Sequence, residues 1–301
     1  MFERIKTALI LLVIVGVAMF ASREPYLILP LLLVGAGVGA YEWAKLMPKA
    51  DTDLATYQPP SQQIQVKPSS QADYVYAGIV LAVVLVVLGL SFLPNLDISF
   101  NATLVWAGFW AVASVIWLLV IRWVGQYPNA TQAWYGKSLY AMGVVLLTSA
   151  ITAMYYLWSL SAWWLLYVFV LVWCADSGAY FVGRKIGKRK MSPYVSPNKS
   201  VEGLMGGLVT GALVVVGVAF GLLKDWSGLA IALFLVLSLV TIVISVFGDL
   251  FESMLKRHAG VKDAGSLLPG HGGILDRIDS QLSAMPIFAL GFWAMRYFGL
   301  I

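Results

Sequence analysis

Two aspartates near the C-terminal end of the chain, Asp276 and Asp279, are three positions apart. If this stretch is helical, both carboxylates lie on the same face. Two adjacent carboxylates repel each other unless a cation or a shared proton lies between them, and Mg²⁺ is bound in proteins by one or two carboxylates together with water and phosphate oxygens. Asp249 is placed to add a third oxygen ligand. The alternative is that the pair only compensates the positive end of a helix macrodipole.

A glycine-rich turn, 269–273, comes directly before this pair. Amide groups that no side chain obstructs can donate hydrogen bonds to phosphate oxygens, although an ordinary loop before a helix has a similar composition. His271 in the turn has three roles open to it: a hydrogen bond to phosphate or metal-bound water, a helix cap, or a general base. Lys256, Arg257 and Lys262 add positive charge, which retention on one side of a membrane would explain as well. Carboxylates, glycines and basic residues so close together indicate a metal–phosphate site.

The composition is that of a membrane protein. Of the 301 residues, 60% are hydrophobic and 12% charged, whereas a soluble protein has about 25% charged residues. Soluble globular, disordered and fibrous proteins are therefore excluded, and one Cys with two His excludes a His/Cys zinc site. Nine apolar runs approach or reach the length that crosses a bilayer: Thr7–Ser22, Tyr26–Tyr41, Tyr74–Leu93, Ala102–Ile121, Leu139–Trp158, Ala162–Gly183, Gly203–Leu223, Gly228–Phe247 and Leu282–Leu300. We predict an all-α polytopic membrane protein with about nine transmembrane helices.

The basic residues predict the orientation of these helices. With a cytoplasmic N-terminus, seventeen of the twenty Lys and Arg residues fall on the cytoplasmic side, which predicts a C-terminus outside. The formal charge of +5 is then mainly a topology signal and does not indicate nucleic-acid binding. We predict four regions: an N-terminal helical hairpin (1–47), a polar cytoplasmic linker (48–73), central transmembrane helices (74–160), and a catalytic transmembrane region (161–301) with cytoplasmic loops 184–202 and 248–281.

The stretch Ser253–Asp279 resembles, without a gap, the signature of the phosphatidate cytidylyltransferase family, also called CDP-diacylglycerol synthases. Its matching positions are Ser253-Met-Leu-Lys256-Arg257, Lys262-Asp263 and His271-Gly-Gly-Ile-Leu-Asp276-Arg277-Ile-Asp279. Two further stretches, Asp176–Gly183 and Ser196–Gly203, resemble the same family. The resemblance implies transfer of the cytidylyl group of CTP to phosphatidic acid with Mg²⁺; whether a second metal ion binds stays open. It also implies a homodimeric enzyme of the bacterial cytoplasmic (inner) membrane, with its active site on the cytoplasmic side.

The resemblance also implies roles for individual residues. Asp249, Asp276 and Asp279 would be catalytic and hold the metal. Three roles stay open for Asp176: a metal ligand, part of a proton or ion path, or a structural partner of Arg184 or Lys185. The substrate- and phosphate-binding residues would be Lys199, Ser200, Lys256, Arg257, Lys262, Asp263, His271, Gly272, Gly273 and Arg277. Two other functions stay open: a CTP-dependent polyprenol or phytol kinase, which would release CDP instead of pyrophosphate, and a cation or lipid transporter that uses the same acidic residues.

Overall fold

The computed structural model describes residues 2–47, 68–92, 98–128 and 136–301, so most of the predicted linker lies outside the described residues. Within those ranges the chain forms nine helices: α1 (Phe2–Phe20), α2 (Ile28–Leu46), α3 (Gln71–Gly89), α4 (Ile98–Gln126), α5 (Ser138–Leu160), α6 (Ala162–Ile186), α7 (Val201–Leu222), α8 (Gly228–Ala259) and α9 (Leu275–Tyr297). A 3₁₀ turn, Leu90–Phe92, continues α3. Among the described residues, six helices, α3 to α8, are long and apolar enough to cross a bilayer. The prediction of an all-α polytopic membrane protein is confirmed at this level.

The described residues contain one β-hairpin, which lies between α6 and α7. Strands β1 (Lys190–Ser192) and β2 (Ser196–Ser200) pair antiparallel. The carboxylate of Glu202, in the first turn of α7, accepts the backbone N–H groups of Lys188 and Arg189 at 2.9 and 3.0 Å and pairs with the Arg189 side chain at 3.0 Å. These contacts attach the hairpin to α7.

Helices α6 and α7 pack with their backbones in contact. A Cβ atom added at Gly203 would lie 2.9 Å from the carbonyl oxygen of Ala179, and one at Gly207 would lie 2.8 Å from that of Ala175. Glycine is required there because any side chain would collide with the backbone of α6, and such small-residue contacts are typical of helix pairs in membranes. The hairpin is therefore carried by two helices that lie unusually close.

Helix α9 lies inside the bundle and packs against α4, α5 and α8. Its side chains Phe288 and Phe292 are buried against Trp164 of α6 and Phe234 of α8. Because α9 faces protein more than lipid, it can carry buried polar residues such as Ser283, and it is less apolar than its neighbours.

Two helices extend beyond their apolar runs at the same end of the bundle. Helix α8 continues past Phe247 to Ala259, and α9 begins at Leu275, before the apolar run that starts at Leu282. The start of α1 lies at this end too, because the Thr7 hydroxyl donates to the carbonyl oxygen of Pro269 at 3.2 Å. These charged helix ends and the loop that connects α8 to α9 together carry most of the predicted site residues.

Candidate active site

Lys256 lies at the centre of a charged cluster at this end of the bundle. Its Nζ is 2.7 Å from Oε2 of Glu252, one turn earlier on α8, and 2.6 Å from Oδ1 of Asp276 in the first turn of α9. The side chains of Lys256, Glu252 and Asp276 are only 15%, 3% and 5% exposed. A buried ammonium paired on two sides therefore joins the ends of α8 and α9.

The second carboxylate oxygen of Asp276 organises the loop before α9. Its Oδ2 accepts the backbone N–H groups of Ala264 at 3.0 Å and Gly273 at 2.8 Å. Burial alone would raise the pKa of Asp276, which lies ahead of the apolar part of α9, but the Lys256 ammonium and the two amides outweigh burial and hold the pKa below its ordinary value. Asp276, predicted as a metal ligand, is thus an ionised residue whose two oxygens already have partners within the protein.

Lys199 and Asp249 form a second ion pair beside the first. Lys199 Nζ, on strand β2, lies 2.6 Å from Oδ2 of Asp249 on α8, and the Ser253 hydroxyl donates to Oδ1 at 3.3 Å. The two side chains are 25% and 33% exposed, more than the Lys256 cluster. The structure therefore brings a predicted phosphate-binding residue and a predicted metal ligand into direct contact, in a position that solvent reaches.

Two more predicted acidic residues lie around this pair. Asp279 accepts the N–H of Ser280 at 2.7 Å, and burial together with the negative charge of Asp249 raises the pKa of Asp279 above its ordinary range. Asp176 on α6 interacts electrostatically with both Lys199 and Asp249. In the described part of the chain, however, no three acidic, His or Cys side chains are close enough to hold a metal ion by themselves.

The predicted phosphate-binding turn, 269–273, is held by hydrogen bonds to the residues on either side of it. The N–H of His271 donates to Leu268, and the N–H of Gly273 donates to Asp276. Gly272 has a left-handed φ of 80°, and a Cβ there would also lie 2.7 Å from Oδ2 of Asp276, so glycine is required for both reasons. Nδ1 of His271 is buried and has no hydrogen-bond partner in the described structure. Two of the amides expected to bind phosphate are therefore already used.

Ser200, also predicted to bind phosphate, is the N-cap of α7. Its hydroxyl accepts the N–H of Gly203 at 3.1 Å, and the residue is 3% exposed. Asparagine, aspartate and serine are the residues preferred at this position because they satisfy an amide that the helix leaves unpaired.

The remaining predicted residues surround the cluster less closely. Arg257 reaches from α8 to the hairpin, where its Nε donates to the carbonyl oxygen of Val195 at 3.3 Å. Lys262 and Arg277 are exposed, and Asp263 is half-buried. These residues line the same end of the bundle.

Sequence reasoning missed Glu252. It is buried, pairs with Lys256, and its other oxygen has no hydrogen-bond partner among the described residues. The i, i+4 spacing between Glu252 and Lys256 is a helical ion-pair signal that could have identified it.

A cavity of about 570 Å³ lies at the opposite end of the bundle. Trp106, Tyr156 and Arg296 are among the residues that line it. Arg296 is twenty residues beyond Asp276 on α9, which is about 30 Å along the helix axis. The cavity is therefore separate from the charged cluster, and we place the candidate active site at the cluster.

The model of the cytidylyltransferase family matches residues 2–295. The chain belongs to the cytidylyltransferase family. A phosphatidate cytidylyltransferase of Pseudomonas aeruginosa is 38% identical over 297 residues, which are 97% of each chain. The relative from Haemophilus influenzae is 56% identical over 126 residues, 42% of this chain and 44% of the relative, and the one from Bacillus subtilis is 52% identical over 126 residues, 41% and 45% of the two chains. The Haemophilus influenzae and Bacillus subtilis matches span less than half of each relative. The family model and the Pseudomonas aeruginosa match confirm the family resemblance of Ser253–Asp279 over nearly the whole chain.

Proposed function

We propose that this member of the cytidylyltransferase family transfers the cytidylyl group of CTP to phosphatidic acid, giving CDP-diacylglycerol and pyrophosphate. The full-length similarity to a phosphatidate cytidylyltransferase supports the reaction. The observation that carries the proposal is the pairing of Lys199 with Asp249 beside the Lys256 cluster, at one end of an apolar bundle. A lipid phosphate at the membrane surface and a nucleotide from water can meet there.

The chemistry requires charge neutralisation more than proton transfer. A phosphate monoester with a second pKa near 6 is mostly a dianion at pH 7, so its oxygen attacks the α-phosphorus without a general base. A bond forms from that oxygen to the α-phosphorus as the bond to the pyrophosphate oxygen breaks. Lys199, which is 25% exposed, can turn from Asp249 to these phosphates, and Lys256 supplies a fixed positive charge behind it.

The acidic residues fit a magnesium site that substrate completes. We propose that Asp249 and Asp279, two like-charged oxygen donors, hold Mg²⁺ together with phosphate oxygens and water, with Asp176 available to a second metal ion. When bound, the metal would neutralise charge on the reacting phosphates. Asp276 would act differently from our expectation, because its oxygens are engaged by Lys256 and two amides, and it would hold that lysine in place.

We further propose that nine helices cross the bacterial inner membrane, with the N-terminus and the active site in the cytoplasm, and that the enzyme is a homodimer. The distribution of basic residues and the contact between Thr7 and Pro269 support a location of the N-terminus and the site on the same side of the membrane.

In a Cys174→Ser background, Asp225→Cys should react with a membrane-impermeant maleimide added outside spheroplasts. Ser266→Cys should react only after permeabilisation. For the homodimer, light scattering of the purified protein in detergent should give the mass of two chains. The reverse labelling pattern would contradict the orientation.

The reaction is tested with purified protein in detergent, phosphatidic acid, Mg²⁺ and CTP labelled at either the α- or the γ-phosphorus. We expect the α label in the lipid and the γ label in pyrophosphate. In a parallel reaction with polyprenol or phytol in place of phosphatidic acid, transfer of the γ label to that lipid with release of CDP would instead identify a lipid kinase. Ion or lipid flux in sealed vesicles without nucleotide turnover would identify a transporter. Lys199→Met should abolish turnover, whereas Lys224→Met, in the exposed loop before α8, should retain it.

A further inference from the structure

Helix α9 begins without a cap of its own. The first four N–H groups of a helix lack partners within it and need acceptors from elsewhere. The residue at the N-cap of α9 is Ile274, whose side chain cannot accept a hydrogen bond. This is the helix that carries Asp276 in its first turn and Asp279 one position beyond that turn, so the position of the start of α9 decides where both carboxylates lie.

A glutamate from the other end of the chain supplies the missing acceptors. Glu42, near the end of α2, is 2% exposed. Its Oε1 accepts the N–H of Ile274 at 3.2 Å, and its Oε2 accepts the N–H of Leu275 at 2.7 Å. One carboxylate thus binds two consecutive amides immediately before Asp276, where the positive end of the helix dipole also favours a negative charge.

Two glycines make room for this carboxylate. A Cβ atom added at Gly273 would lie 2.5 Å from the carboxyl group of Glu42, and one added at Gly265 would collide with the same group. Real Cβ atoms are not found this close to other heavy atoms. Glu42 therefore sits in a closely fitted pocket formed by the loop before α9, and not on a surface that α9 happens to touch.

We propose that Glu42 is a positioning residue of the active site: by binding the amides of Ile274 and Leu275 it sets the first turn of α9, and with it Asp276 and Asp279, relative to Lys256 and Asp249. The proposal rests on the proposed function for its catalytic consequence. It makes α2, from the predicted N-terminal hairpin, a structural part of the catalytic end of the bundle.

The decisive variant is Glu42→Gln, which keeps the shape of the side chain but replaces one acceptor oxygen by an NH₂ group. One of the two amides then faces a donor. We expect kcat per folded enzyme to fall at least tenfold at a temperature well below unfolding, and the Mg²⁺ concentration for half-maximal activity to rise. We also expect amide hydrogen exchange to accelerate at least tenfold in the peptide that contains Ile274 and Leu275, measured by mass spectrometry.

Glycine substitutions provide a second route and a matched control. Gly265→Ala should displace the carboxylate and reproduce the kcat, Mg²⁺ and exchange changes of Glu42→Gln. Gly37 lies on α2, as Glu42 does, and a Cβ added there would meet no other atom within 4 Å. Gly37→Ala should therefore leave kcat, the Mg²⁺ dependence and the exchange rate unchanged. A Glu42→Gln enzyme with a lower melting temperature but normal kcat and Mg²⁺ dependence would overturn the proposal, and so would unchanged exchange at the start of α9. If wild-type protein forms no CDP-lipid, the proposed function fails, while the exchange experiment still decides whether Glu42 holds this turn.

Discussion

The ammonium of Lys256 and the carboxylate of Asp276, 2.6 Å apart, join the end of α8 to the start of α9. A fifteen-residue loop connects these two helices. This contact changes the chemical description of the site. Of the two aspartates predicted to bind metal together with Asp249, Asp276 is paired with a buried lysine, whereas Asp279 interacts electrostatically with Asp249. Fixed positive charge and candidate metal ligands are thereby held side by side.

The buried lysine should be essential to stability as well as to turnover. Lys256→Met leaves two buried carboxylates, Glu252 and Asp276, without their cation, and we expect it to lower the free energy of unfolding by about 3–5 kcal/mol. Thermal unfolding in detergent measures the change. Lys262→Met, at an exposed position in the loop that follows, should stay within about 0.5 kcal/mol of wild type. Equal melting temperatures for the two variants would contradict the buried pairing.

The carboxylates of Asp279 and Asp249 should repel each other until a bound cation neutralises their charge. Asp279→Asn removes one of the two like charges, so we expect the melting temperature to stay the same or rise while turnover falls about 100-fold or more. Chelation of Mg²⁺ should abolish wild-type turnover and re-addition should restore it. Asp225→Asn, in the exposed loop before α8, is the control and should be fully active. Near-normal turnover of Asp279→Asn would remove this residue from the metal site.

A comparison of two serine N-caps tests whether Ser200 has only a structural role or also binds substrate. Ser200 caps α7 at the charged end, and Ser227 caps α8 in the loop that follows α7, each accepting an N–H at 3.1 Å. We expect Ser200→Ala and Ser227→Ala each to lower the free energy of unfolding by about 1 kcal/mol. Because the Ser200 hydroxyl is enclosed, turnover per folded protein should be similar in both. A selective loss of turnover in Ser200→Ala would show that this hydroxyl also binds phosphate.

The contact between α6 and α7 should tolerate no side chain. At Gly207 a Cβ would collide with the Ala175 carbonyl oxygen, and we expect Gly207→Ala to destabilise the protein by about 1–3 kcal/mol. Gly217→Ala, later on α7 and with no atom near its Cβ, should be neutral or slightly stabilising, because alanine favours helix. Detergent unfolding of the two variants compares the effects directly.

Much of the architecture is readable from the sequence because apolar runs of membrane length have few structural alternatives. The runs place the nine described helices, but not the ends of α8 and α9, where charged residues continue the helix beyond the apolar part. The hairpin at 190–200 could not be read in the same way, since Pro197 and polar residues give its strand no apolar alternation.

For the site, the sequence indicates which residues gather at one end, but not which residues pair. Glu252 was within reach of local spacing rules, because its partner Lys256 is one helical turn away. Glu42 was not, since it contacts Ile274 and Leu275 across more than 230 positions and only the packing of α2 against α9 brings them together. Sequence periodicity carries information about neighbours along a helix and very little about such distant contacts.

The glycine contacts between α6 and α7 also bear on how the site can move. Two helices whose backbones touch form a stiff support. The hairpin that carries Lys199 follows α6 at one end and leads into α7 at the other. Adjustment to an arriving substrate should then fall on the flexible side chain of Lys199, which can swing by several ångströms while its backbone stays in place. The catalytic end would then combine a rigid backbone support with a movable Lys199 side chain.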